Sequence, residues 1–488
     1  MTDPQHESRL VEATPRRLHI GGEWRDANGG GTFAVQDPAT GQTLTEVANG
    51  DASDALDALA AADEAQPEWA ATPPRRRGEI LRRTYEGLMA RADDLALLMT
   101  LEMGKPVADS RSEIAYAAEF FRWFSEEAVR IDGRYTAEPG GRGRLMVMHQ
   151  PVGPCLLIAP WNFPMAMATR KLGPALAAGC TAVVKPAALT PLSTLALVEI
   201  LVEAGLPPGV VNVVTTTDAG GTTAPLIGDP RLRKLSFTGS TPVGRKLMAA
   251  ASEQILRVSM ELGGNAPFLV FADADLEAAL EGAVLAKMRN MGEACTSANR
   301  FYVHESIAAP FAQGLADRLA SMKVGRGTEE GVEVGPLIEE KARTKVAKLV
   351  EEATAKGATV LTGGHALDGP GYFYAPTVLS EIPETAELLR EEIFGPVAPV
   401  VAFADDDEAI AGANATEYGL VAYAYTANLD RALHVAEALE VGMVGLNQGL
   451  VSNPAAPFGG VKQSGIGREG GAEGIHEYLS VKYVALHV

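Results

Sequence analysis

Between residues 154 and 271, short apolar runs alternate with helix-like stretches, and this alternation restricts the fold more than any other feature of the chain. The runs CLLIAP, TAVVKP, VVNVVT, KLSFTG and APFLVF are continuously apolar rather than apolar at every second residue. Runs of that kind belong to strands covered on both faces, so they predict a parallel sheet with helices on either side. The helices would be MAMATRKLGPALAAG, PLSTLALVEILVEAG and PVGRKLMAAASEQI. A second alternating block runs from 300 to 450, with RFYVHE, ATVLTGG, PVAPVVAF, LVAYAYT and GMVGLNQ as strands. The 488 residues exceed what one hydrophobic core usually supports. The pattern therefore predicts an α/β protein of two domains plus a strand arm.

The arm comes from two places. GRYTAEPGGRGRLMVMHQ has a Pro-Gly-Gly turn between extended segments and reads as a hairpin near 131–149. The ending EYLSVKYVALHV reads as one long strand with no partner nearby in sequence. Upstream, the pattern from about residue 51 is helical until Gly104 and Pro106 close it. The first residues, MTDPQHESRLVEATPRR, are polar and read as a loose tail rather than a signal peptide.

A net charge of -20 argues against nucleic acid and anionic membrane as partners, because both need a basic surface. No apolar run is long enough to span a bilayer. The three cysteines, Cys155, Cys180 and Cys295, form no Cys-x-x-Cys pair, and the histidines are scattered, so no metal site is expected. A reducing compartment fits, and the expected location is cytoplasmic.

The chain holds one G-x-G-x-x-G, at Gly465, Gly467 and Gly470, but no buried strand leads into it and too little chain follows for a βαβ unit. It reads as a flexible surface turn. KLSFTGSTPVGRKLM is a better phosphate loop. A strand ends at Phe237, Gly239 and Ser240 make the turn, and Pro242 opens a helix whose free amides would face a pyrophosphate. Lys185 leaves a buried strand at a place suited to ribose or phosphate; taken alone it reads equally well as a lysine reaching solvent at a strand end.

Four further segments put a reactive or amide group in a turn beside glycine or proline: PWNFP, ELGGNAP, GEACTSANR and EEIFGPV. Singly, each has an ordinary reading. Cys295 is a small buried residue, Asn162 a turn former, Glu261 a cap and Glu392 a solvated helix residue. Taken together, in type, order and spacing, the segments resemble the aldehyde dehydrogenase superfamily, from about Leu18 to Tyr483.

That resemblance implies two doubly wound α/β domains: a Rossmann-like cofactor domain over 15–130 and 150–262, and a catalytic domain over 263–463. It places a β-strand oligomerisation arm at 131–149 and 464–488, with a homodimer or homotetramer as the assembly. It makes Cys295 the nucleophile, Glu261 the general base, Asn162 an oxyanion donor and Glu469 a second acid that helps move protons. It gives Trp161, Lys185, Ala188, Gly239, Ser240, Leu262, Glu392 and Phe394 to the cofactor, NADP or NAD. The chemistry needs such a set. A thiolate adds to an aldehyde carbon, amides stabilise the oxyanion, hydride leaves, and a carboxylate activates water against the thioester.

Within the superfamily, MRNMGEAC, NQGLVS and GIHEYLSVKY are most similar to the succinate-semialdehyde dehydrogenase branch. By that resemblance Arg170, Arg289 and Ser452 anchor the distal carboxylate of a small aldehyde. Taken alone, Arg170 would be a helix residue pairing with an acid and Arg289 a structural ion pair. Glu293 stands where the family usually has glutamine, Ser297 where some members have a second cysteine, and Ala188 where a glutamate or serine would mark NAD or NADP preference. Glutarate semialdehyde, a CoA-acylating reaction and a non-catalytic role are the competing readings; intact Cys295, Asn162 and Glu261 argue against the last two.

Overall fold

The computed structural model describes residues 3–487. Two sheets carry the alternation seen in the sequence. The first has eight strands, in the order Glu23–Arg25, Leu18–Ile20, Val211–Val213, Ala182–Lys185, Cys155–Ile158, Lys234–Thr238, Arg257–Glu261 and Gly465–Ile466. From Val211–Val213 to Arg257–Glu261 the strands run parallel. The three in the middle of that set, from Ala182–Lys185 to Lys234–Thr238, are buried throughout, which is why their sequences are apolar without alternation.

The chain moves outward from Cys155–Ile158 in one direction, then crosses back to lay Lys234–Thr238 on its other side. The carboxyl ends of these two strands therefore flank a topological switch point, where open α/β sheets bind ligands. The Pro160–Pro164 loop follows one strand and the Gly239–Ser240 turn follows the other.

The second sheet has seven strands, in the order Thr359–Thr362, Thr377–Ser380, Val397–Phe403, Ala298–His304, Ala266–Val270, Val421–Tyr425 and Met443–Leu446. Only its outermost pair is antiparallel. Glu261 ends the last parallel strand of the first sheet, and two residues later Gly263 and Gly264 lead into the second. A Cβ on Gly264 would lie 2.6 Å from the Cys295 carbonyl oxygen, so the backbones of the two segments touch.

The third sheet joins Arg134–Ala137, Arg144–Pro151 and Leu479–Leu486, antiparallel throughout. The hairpin is thus present, and the C-terminal strand finds its partner there, from Leu479 opposite Pro151 to Leu486 opposite Arg144. Tyr135, Val481 and Tyr483 leave their side chains exposed on this sheet.

Four expectations need correction. Within the segment read as a loose tail, Pro4–Ala13 is a helix with Asp3 as its N-cap and Pro4 in its first turn; residues 1 and 2 lie outside the described residues. The run APFLVF belongs to the second sheet, not the first, and Arg257–Glu261 takes the place it was given. The helical region does not stop at Gly104. That residue ends one helix in a left-handed conformation (φ 95°), and a further helix, Val107–Glu127, follows Pro106. The glycine-rich segment at 465–470 is no surface turn. Gly465 and Ile466 pair with Glu261 and Met260, and a Cβ on Gly465 would sit 1.8 Å from the Met260 carbonyl oxygen. Glycine is there because two backbones meet.

Candidate active site

A cavity of about 470 Å³ opens at the switch point, between the two sheets. Asn162, Trp161, Gly239, Ser240, Glu261, Leu262, Cys295, Glu392 and Phe394 all line it. Residues from six separate stretches of sequence, 160–167, 238–240, 261–263, Cys295, 338–345 and 392–394, therefore meet in one cleft.

Cys295 is half-buried and follows a tight turn over Arg289–Gly292. Within that turn Asn290 and Met291 hold positive φ angles of 55° and 54°, and Gly292 is left-handed at 77°. Asparagine tolerates that region; for methionine it is a strained conformation that the surroundings must enforce. A Cβ on Gly292 would lie 2.2 Å from the Gly395 carbonyl oxygen, so the turn is pressed against the Glu392–Phe394 segment. Burial pushes the Cys295 thiol up to about 12; Arg170 opposes this, Glu392 and Glu261 reinforce it, and Arg289 opposes it. The resting thiol is therefore protonated. Arg300, at the end of the same segment, is engaged elsewhere. It donates to the carbonyls of Asn265, Gly412 and Ala413 and clamps the second sheet.

Glu261 ends its strand with both carboxylate oxygens buried and without a hydrogen-bond partner among the described residues. Burial raises its pKa well above the usual carboxylate range, and the charge of Glu469 raises it further, against Arg170, Lys171 and Arg468. Glu469 itself is also buried, which works to raise its pKa. Lys171 and Arg170, both at 2.6 Å, outweigh that effect and hold it below the ordinary value. The two shifts run in opposite directions, so Glu469, which lies outside the cavity lining, is the stronger acid of the two.

Asn162 donates from Nδ2 to the Glu293 carbonyl oxygen at 2.9 Å. The Cys295 backbone N–H donates to no other group among the described residues, so it and the remaining Asn162 N–H are open to an oxyanion. The Glu293 carboxyl accepts from the Ile338 N–H at 3.2 Å, and burial raises its pKa well above the usual range. It is not among the charges that act on the Cys295 thiol.

Ser240 is the N-cap of the helix Thr241–Ser252 and makes no capping bond of its own, so its hydroxyl and the helix N-terminus are both free for a phosphate. Trp161 and Phe394 meet edge to face at 5.5 Å and offer an aromatic wall. Glu392 accepts from the Gly264 N–H at 3.0 Å, and burial lifts it to about 7. Lys185 leaves its strand with its amine unpaired among the described residues, and burial lowers it to about 8. It and Ala188 lie outside the cavity lining, beyond the same sheet edge. These groups fit a pyrophosphate-linked dinucleotide. The cleft is also lined by Lys341 and Lys345 from the helix Glu340–Ala355, which the sequence reading missed. Two lysines on a surface helix carry no local mark of a nearby cleft.

The three expected carboxylate anchors divide. Arg289 donates to the Ser452 hydroxyl at 3.3 Å, with its guanidinium 4.8 Å from the Phe163 ring centroid. Arg170 is fully buried, bonded to Glu469 through Nε and stacked 4.0 Å over Phe458. Both arginines lie close enough to Cys295 to act on its thiol. No cluster suited to a metal ion occurs among the described residues, and no helix there is long and apolar enough to cross a membrane.

Comparison with known proteins agrees with this geometry. The chain is 58% identical over 443 residues to a succinate-semialdehyde dehydrogenase of Paenarthrobacter nicotinovorans, covering 91% of this chain and 98% of that one. It is 50% identical to a glutarate-semialdehyde dehydrogenase of Pseudomonas putida, covering 97% and 98%. A crystal structure of an E. coli NADP-dependent enzyme superposes with a TM-score of 0.96 at 48% identity, covering 99% of each chain. Residues 24–484 match the model of the aldehyde dehydrogenase family, and the chain belongs to that family.

Proposed function

We propose that the protein oxidises succinate semialdehyde to succinate, with NADP or NAD as the hydride acceptor. The observation that carries the substrate assignment is the contact of Arg289, on the segment that delivers Cys295, with Ser452. A fixed guanidinium and a hydroxyl are what a distal carboxylate needs. Arg170 adds a second cation near the thiol. Glutarate semialdehyde is the second reading, favoured by the Pseudomonas putida relative.

Cys295 Sγ attacks the aldehyde carbon as the thiolate, its proton having passed to solvent. The oxygen of the resulting thiohemiacetal is stabilised by the Asn162 amide and the Cys295 N–H; one such donor contributes about 3–4 kcal/mol. When bound, the nicotinamide ring supplies the acceptor for the aldehyde hydride. Trp161 and Phe394 would pack the ring, Glu392 and Lys185 would hold ribose hydroxyls, and Ser240 with the helix N-terminus would hold the pyrophosphate. Glu261, once it has lost its own proton, then draws a proton from water, and the hydroxide adds to the thioester carbon and displaces Cys295 Sγ, which releases the acyl group as carboxylate. A carboxyl group without a hydrogen-bond partner at that position argues for hydrolysis rather than transfer to CoA. In this reading residues 15–130 and 150–262 bind the cofactor, 263–463 carry the nucleophile, and 131–149 with 464–488 form the arm.

Arg289→Ala is expected to raise KM for succinate semialdehyde at least tenfold, since a hydrogen bond to a charged group contributes about 1.5–3 kcal/mol and about 1.4 kcal/mol is tenfold. Butanal, which lacks the carboxylate, should be little affected. Equal losses on both aldehydes would make the arginine structural.

NADP is expected to be accepted, because Ala188 presents no charge to repel a 2′-phosphate. At an effective dielectric of about 20 a charge contact is worth a few kcal/mol at most before desolvation. Comparing kcat/KM for the two cofactors decides the point; a hundredfold preference for NAD refutes it.

The exposed apolar side chains of the arm sheet, at 63%, 68% and 59% for Tyr135, Val481 and Tyr483, mark a surface that expects a partner. Sedimentation should show a homodimer or homotetramer, and an active monodisperse monomer would count against the assignment.

A further inference from the structure

Behind the Asn162 loop lies a buried ion pair that the chemistry above does not use. Lys105 and Glu113 are 1% and 0% exposed, and Nζ stands 2.5 Å from Oε2. Taking two charges out of water costs so much that a pair of this kind is weak evidence for stability. Its other hydrogen bonds show what it holds. Glu113 Oε1 accepts from the N–H groups of Met165 and Ala166, each at 3.0 Å. These open the helix Ala166–Ala178, whose N-cap residue makes no side-chain capping bond. Lys105 Nζ donates to the Asn162 carbonyl oxygen at 2.9 Å and lies 4.2 Å from the Phe163 ring centroid.

The same carbonyl takes a second bond, from Asn290 Nδ2 at 3.1 Å. Asn290 also donates to the Glu293 carbonyl at 2.8 Å, the acceptor that Asn162 Nδ2 uses. One network therefore fixes the Asn162 peptide from behind and its side chain from in front, and ties both to the strained turn that carries Cys295.

We propose that Lys105 and Glu113 are a positioning pair for the oxyanion donor. Glu113 fixes where the loop enters its helix. Lys105 fixes the peptide plane of Asn162, and hence the direction of its Cβ. Donors of this kind work only when held within about 0.5 Å of the productive geometry, and a loop achieves that only through the groups behind it. The proposal rests on Asn162 serving the oxyanion, and its test separates the two ideas.

The test is a double-mutant cycle between Lys105→Met and Asn162→Ala. Lys105→Met alone should lower kcat 10- to 100-fold, with KM for the cofactor within twofold of wild type. Alkylation of Cys295 by iodoacetamide should keep its wild-type rate, because Lys105 is not among the charges that act on the thiol. In the Asn162→Ala background the same change should cost less than a further threefold, since the group it positions is gone. The paired variant Lys105→Met with Glu113→Gln leaves no lone buried charge and keeps an acceptor for the helix N-terminus. It serves as the folded control and should give the same pattern. Losses that multiply across the cycle, or a cofactor KM that rises with the fall in kcat, would show the pair to be merely structural and overturn the proposal. An unimpaired Asn162→Ala enzyme would overturn the oxyanion reading itself, and this proposal with it.

Discussion

Cys295→Ser is expected to lower aldehyde turnover by a factor on the order of 10⁴ or more, leaving cofactor binding intact. A serine hydroxyl in the same half-buried place is a far weaker nucleophile than sulfur, and neither Glu261 nor the arginines can compensate. Fluorescence titration with NADPH should give a wild-type dissociation constant; substantial NAD(P)H production by the pure variant would refute the assignment. Glu261→Gln should fail at a different step. Acylation would yield about one reduced cofactor per site in a burst, followed by stalled hydrolysis.

The environment of the thiol adds a pH dependence to this. Burial holds its pKa near 12, so only the tail of the titration lies in the accessible range. In the absence of cofactor the iodoacetamide reaction should accelerate about tenfold per pH unit between about 7 and 10, because only the thiolate reacts. A plateau below pH 8 would mean that the arginines outweigh burial. Cys155 and Cys180 are buried and do not confuse the reading.

Glu469→Gln is expected to have two large effects. It leaves Arg170 and Lys171 as buried cations without their carboxylate, a change that typically costs about 3–5 kcal/mol. The midpoint of chemical denaturation should fall accordingly. It also removes the charge that raises Glu261 and frees two cations that lower it. Ionised Glu261 is the form that activates water, so kcat rises with pH as Glu261 loses its proton. In the variant that rising limb should therefore move to lower pH. A limb that stays in place while kcat drops would mean that the two carboxylates do not act on one another.

Much of this molecule is legible in its sequence, for identifiable reasons. Strands buried on both faces must be apolar at every position, and CLLIAP, TAVVKP and KLSFTG could hardly be anything else. The turn at Gly239 and Ser240 announces itself, because a strand, a glycine and a helix-opening Pro242 follow in order. Even the hairpin at 134–151 follows from a Pro-Gly-Gly turn between extended segments. Each of these is a local requirement, and local sequence can state it.

What tertiary structure decided are encounters between residues far apart in the chain. Arg170 meets Glu469 across 299 residues, and this placed a predicted substrate anchor in an ion pair. The segment at Gly465 completes the edge of a sheet whose other strands lie more than 200 residues earlier, because only glycine lets it touch the Met260 backbone. Lys105 reaches the Asn162 carbonyl across 57 residues. In sequence it is a lysine after a helix end, indistinguishable from one bound for solvent. Burial turned that charge into a fixture, and burial is a property of the assembled core, not of any stretch of chain within it.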